Sequence, residues 1–127
     1  MFSLKRADKG NNPAIKELPA AAGTYTVGQV AVLEDGYITP VSGTTMPTYV
    51  TAGAGTLASG DIIAVNPIYK DMEFDTVLSA NGSLVKGDKV TISSTFDSVT
   101  ATTTNGVATI VDVAGTTSGS AVRVKFI

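Results

Sequence analysis

A chain of 127 residues with 43% hydrophobic and 16% charged residues can bury one modest core, which predicts one body rather than two. Cysteine and histidine are both absent, which excludes disulfides, Cys/His metal sites, thiol nucleophiles and every catalytic dyad or triad built on imidazole. Net charge is −2 but unevenly placed: the first 17 residues hold four basic against two acidic side chains, the rest five against nine. An acidic body repels phosphate backbones, so nucleic acid is not an expected partner.

The chain opens Met1-Phe2-Ser3-Leu4-Lys5-Arg6, with charges arriving before any apolar run could form the core of a signal peptide, so synthesis in a cytoplasm is expected. The longest aliphatic stretches, such as Ile62 to Val65, fall far short of the ~20 residues that span a bilayer, so no membrane partner is expected. Residues 1–23 show no sustained period and contain Gly10-Asn11-Asn12-Pro13 and Pro19-Ala20-Ala21-Ala22-Gly23. They read as an extended arm, with at most a short helical turn over Ala14 to Leu18 that Pro19 would stop. Regular structure is expected from Thr24, and residues 24–127 read as a single β domain.

From there, Thr, Val and Gly dominate, and turn residues space out short strands. Gln29 to Leu33, Asp35-Gly36 and Tyr37 to Val41 predict a hairpin with a two-residue turn. Gly53, Gly55 and Gly60 bracket a stretch read as flexible, Asp61 to Val65 a short buried strand ending at Asn66-Pro67, and Glu73 to Ser79 a further strand. Lys89 to Ser93 continues the sheet. Ser98 to Thr104 and Val107 to Val113, joined at Asn105-Gly106, predict a second hairpin, and Ala121 to Phe126 the last strand. Gly28-Gln29, Gly60-Asp61 and Gly87-Asp88 each precede a strand. Their unequal spacing favours shared turn chemistry over a repeat. About eight short antiparallel strands predict an all-β fold, a small compact barrel or sandwich carrying an extended N-terminal arm.

Few residues suggest chemistry. Gly82 to Lys89 has the glycine spacing of a phosphate loop, but Asp88 stands where lysine is required and a strand follows, so no nucleotide or other cofactor is expected. Asp71, Glu73 and Asp75 alternate, which on a strand puts three carboxylates on one face; that spacing suits a Ca²⁺ ion or an acid/base pair. A solvated outer face with Met72 and Phe74 turned inward explains the same alternation, and neither a metal site nor an enzyme is predicted. Tyr25, Tyr37, Tyr49 and Tyr69 are scattered without a basic stripe, unlike a base-stacking platform.

A polar N-terminal arm followed by Gly28 to Thr45, by Ala52-Gly53-Ala54-Gly55 and the strand Asp61 to Val65, and then by Tyr69 to Val77, resembles the small capsid decoration proteins of tailed bacteriophages. The likeness lies both with the lambda-type head decoration family and with a related Gly/Val-rich group of head proteins, and covers roughly residues 24–80. It implies a structural virion protein on the capsid exterior, a trimer contacting the major capsid protein and cementing neighbouring capsomers, with no small-molecule substrate. It also implies an arm that orders on the capsid, here through Phe2, Leu4, Lys5, Arg6, Lys9, Ile15 and Lys16: Phe2 and Leu4 on one face of an added strand, the cations steering encounter. The longer C-terminal β region departs from the lambda-type pattern and leaves the trimer open. Two other readings stand beside it: a carbohydrate- or receptor-binding β module of a head fibre or cell surface, using loops near Tyr49 and Tyr69, and a small hydrolase using Asp71, Glu73 and Asp75.

Overall fold

Asp35 and Gly36 both adopt positive φ, 49° and 86°, the backbone of the two-residue turn whose twist suits a hairpin. This turn joins β4 (Val30–Glu34) to β5 (Tyr37–Pro40) in the computed structural model, as the sequence predicts. The structure describes residues 1–6 and 14–126, except the side chain of Arg6. Among them are twelve strands in three antiparallel sheets, and no helix. The expectation of an all-β fold holds.

The remaining strands are β1 (Ser3–Arg6), β2 (Lys16–Pro19), β3 (Gly23–Tyr25), β6 (Tyr49–Thr51), β7 (Gly55–Leu57), β8 (Ile62–Pro67), β9 (Glu73–Val77), β10 (Lys89–Val90), β11 (Ala108–Val113) and β12 (Ala121–Lys125). One five-stranded sheet runs β1-β9-β12-β11-β10, a second runs β2-β8-β6-β4-β5, and β3 pairs with β7. The second sheet curls towards closure: Ala20, just after β2, bridges Ile38 on β5, and Ala21 N–H donates to the Ile38 carbonyl at 3.0 Å. Alternation along its strands then sends Ala31, Ile38, Ile63 and Val65 inward with Tyr25, while Val30 and Val50 point outward. Those two meet the inner face of the first sheet, where Phe74, Val90, Ile110, Val122 and Val124 form the main core. Phe126 sits between Phe2 and Phe74, its ring centroid 5.5 and 5.7 Å from theirs.

Three expectations are corrected here. Regular structure begins before Thr24: β1 pairs with β9, Ser3 opposite Asp75 and Leu4 opposite Phe74, and β2 pairs with β8 where a short helical turn was allowed for. Phe2 is buried, its N–H donating to the Gly28 carbonyl at 2.8 Å. The stretch around Gly53 to Gly60, read as flexible, contains β7, while β8 ends at Asn66-Pro67 as expected. Asn105-Gly106 does form a turn, Asn105 taking φ 54°, but no hairpin follows from it. β11 pairs with β10 and β12, whereas the backbone of residues 98–102 bonds to Val77, Ser79, Thr91 and Ser93.

The Gly-polar echo proves to be one turn built three times. Gly28, Gly60 and Gly87 have φ of 86°, 93° and 93°, and the following side chain reaches back three residues to a backbone N–H: Gln29 to Thr26, Asp61 to Ala58, Asp88 to Val85. In each copy the glycine N–H donates to the carbonyl of a buried residue, Thr51, Ala20 or Ile110, whose own N–H donates back to the carbonyl of Gln29, Asp61 or Asp88. A second glycine precedes each by five positions, at Gly23, Gly55 and Gly82, with Thr or Ser next and then the inward-packed Tyr25, Leu57 or Leu84. In two copies that lead-in is a strand, and β3 and β7 pair with each other, Thr24 opposite Thr56.

Candidate functional site

Two surfaces carry the residues singled out in the sequence. The outer face of the first sheet carries the carboxylates. β9 turns Phe74 and Thr76 inward, so Glu73 and Asp75 point out, and β12 turns Val122 and Val124 inward, so Arg123 points out beside them. Register sets Arg123 opposite Asp75 on one side and Asp112 on the other. Arg123 Nε donates to Asp75 Oδ1 at 2.8 Å, and this bond, opposed by partial burial, raises the guanidinium pKa; Asp75, Glu73 and Asp112 add to it through their charge. A shallow hollow of about 220 Å³ lies over this row, flanked by Val113, Ala114 and Ala121.

Asp71 does not join the row. It sits in the turn before β9 with φ 63°, so the expected face of three alternating carboxylates reduces to Glu73 and Asp75. Met72 and Phe74 are buried, as the outer-face reading requires. No group of three or more Asp and Glu among the described residues is arranged to hold a metal ion. Asp75 is committed to a guanidinium, which makes this row a cross-strand ion ladder that positions β9 against β12.

The N-terminal residues divide between the two sheets. Phe2 lies in the main core and Leu4 packs against it, so neither is displayed to a partner; the expected intermolecular strand is made instead to the chain's own β9. An apolar groove of about 190 Å³ runs beside them, lined by Met1, Leu4, Val27, Ala52, Pro67 and Met72. Nearby, Gly28 takes φ 86°, and a Cβ there would collide with the Met1 side chain and crowd the Phe2 nitrogen. Lys5 is exposed on β1 and Arg6 stands opposite Glu73, while Lys9 lies outside the described residues. Ile15 is 62% exposed and Lys16 is exposed at the start of β2, on the other sheet. The six that are described therefore do not form one continuous arm surface.

Sequence reasoning missed Ile62, which it placed in a buried strand. The register of β2 with β8 puts Pro19 opposite Ile62 and Glu17 opposite Ala64, and carried back one residue it puts Ile15 opposite Asn66. Ile15, Ala64 and Ile62 thus share the outer side of the curled sheet, and Ile62 is 57% exposed there. The signal was present in the alternation: with Ile63 and Val65 inward, Ile62 must face out. Among the tyrosines, Tyr49 packs into the curled sheet, Tyr69 is exposed, and Tyr25 is buried with its hydroxyl donating to the Ala21 and Ile38 carbonyls at 2.6 and 3.1 Å.

Tyr25 yields a pH prediction. Burial pushes its phenol above the usual value of 10.0, so the unfolded chain releases the proton first as pH rises. The contribution of this group to stability is fully present below about pH 10 and is lost above it. Chemical denaturation across the alkaline range should show this fall, and Tyr25→Phe should flatten it while costing about 1–2 kcal/mol at neutral pH. An equally steep alkaline loss in the variant would assign it elsewhere. No protein-family model matches the chain, and no curated protein matches it significantly.

Proposed function

We propose that this chain is a structural virion protein that binds the outer surface of a phage capsid and cements neighbouring capsomers. One observation carries the reading of where it would attach: the exposed side of the β2–β8 ladder, with Ile15 and Ile62 at either end and Glu17, Ala64 and Asn66 between them. Exposed isoleucines on a rigid sheet lose little side-chain entropy when covered, and two half-exposed ones offer roughly 2–3 kcal/mol of burial, about fiftyfold in affinity. The resemblance of residues 24–80 to capsid decoration proteins supplies the class of partner, the major capsid protein.

Attachment in this reading is a matter of many weak contacts. A trimer would present three such ladders, and once one is engaged the others act at roughly millimolar effective concentration, so modest affinities multiply. Lys5 and Lys16, exposed on different sheets, would speed encounter with an acidic shell, and covering the isoleucines would slow release.

Co-sedimentation with expanded, undecorated capsids of the phage encoding the chain tests this. Ile15→Ser combined with Ile62→Ser should leave the melting temperature within a few degrees, since both residues are exposed, and should weaken binding at least about tenfold. Asp75→Asn should not alter binding. Undiminished binding by the double variant would remove the β2–β8 ladder from the interface, and failure of the unaltered protein to co-sediment would overturn the reading as a whole.

A further inference from the structure

The sequence contains two Asn-Gly dipeptides, Asn81-Gly82 and Asn105-Gly106, and the fold treats them differently. After asparagine, a glycine nitrogen can attack the side-chain amide carbon, because glycine leaves the approach open. Asn81 is held against this on both sides: its Oδ1 accepts from the Ser118 N–H at 2.8 Å, and the Gly82 N–H donates to the Thr116 carbonyl at 2.8 Å. The electrophilic side chain and the attacking nitrogen are thus both tied to one loop. Asn105 is exposed at the tip of its turn, and its side chain has no hydrogen-bond partner among the described residues. The Gly106 N–H reaches only the Thr103 carbonyl, at 3.4 Å.

We infer that Asn105 is a site of spontaneous deamidation and that Asn81 is shielded from it by the fold. Asn105 has φ 54°, and this left-handed turn must relax before attack. An exposed turn closed by a bond at the limit of hydrogen-bond length opens at small cost. The Gly106 nitrogen then gives its proton to a solvent base and bonds to Asn105 Cγ, and the side-chain nitrogen takes a proton from water and leaves as ammonia. A five-membered cyclic imide remains. Water adds to one of its two carbonyls and opens the ring, giving either aspartate or isoaspartate at position 105. Both products place a new carboxylate beside the β10–β11 pairing, and isoaspartate also lengthens the backbone next to Gly106, which packs against Lys89.

Trypsin separates the two sites, because Asn81 falls in the fragment 71–86 and Asn105 in 90–123. The folded full chain is incubated at mildly alkaline pH, and both fragments are followed by mass spectrometry, with an isoaspartate-specific methyltransferase as a second readout. Asn105 should deamidate at least about tenfold faster than Asn81, which must first give up two hydrogen bonds. In concentrated urea the two rates should converge, because both dipeptides then behave as free peptide. An unmodified Asn105 in the folded chain, equal rates in the folded chain, or a difference that survives in urea would each overturn the inference.

Discussion

Replacing Phe2 by Ser is expected to lower the stability of the free protein by about 3–5 kcal/mol and its melting temperature by roughly 10–20 °C. Phe2 is only 2% exposed, meets Phe126 edge-on, and is fixed by its N–H to the Gly28 carbonyl. Truncation leaves a cavity among Phe74, Phe126 and Met72 and puts an unpaired hydroxyl into it. An N-terminal arm that orders only on a partner would predict the opposite, a melting temperature indifferent to the change. Differential scanning calorimetry of the isolated variant separates the two. A shift of less than about 2 °C would mean that β1 spends its time detached in solution.

Gly106→Ala is expected to be nearly as damaging, for a different reason. A Cβ at this position would collide with the backbone carbonyl of Lys89 and approach the Val90 nitrogen to 2.5 Å. Backbone, unlike a side chain, has no rotamer to move into, so β10 must leave β11. The pair Val90 and Ala108 lies fully buried at that junction, so its separation opens the end of the main core. The expected loss is about 3 kcal/mol, near the upper end for overpacking, with hydrogen-exchange protection falling first at Val90 and Ala108. Unchanged protection there would show that the β10–β11 contact is not as close as the structure has it.

What the sequence could disclose divides along the range of the interactions. The β4–β5 hairpin is legible because Asp35-Gly36 determines its own φ values and the two flanking segments then meet without choice. β12 is legible from clean alternation. The turn at Asn105-Gly106 is equally local and is present. Its hairpin fails because strand pairing is not local: β11 finds better partners in β10 and β12 than in the threonine-rich residues before it. β1 is hidden for the same reason. Four residues of weak alternation become a strand only when β9, some 70 residues later, supplies the ladder, and Phe2 becomes core only when Phe126 closes over it.

The candidate surface was half legible. Ile15 and Lys16 stand out as apolar and basic residues near the N-terminus, but their neighbour Ile62 emerges only from the β2–β8 register. Three carboxylates suggest a site, and the register commits one of them, Asp75, to an ion ladder through Arg123. The threefold turn lay in the open, at glycines five residues apart, yet unequal spacing between its copies conceals it. Its identity rests on reciprocal hydrogen bonds to Thr51, Ala20 and Ile110, which no linear pattern displays.

Electron cryo-microscopy of purified particles of the encoding phage tests the proposed function most directly. Discrete external density is expected, into which the two-sheet body fits, bridging adjacent capsid subunits, with the β2–β8 ladder against the shell and Ile15 and Ile62 covered. Particles that lack the chain, or that carry it with this ladder turned to solvent, would contradict it.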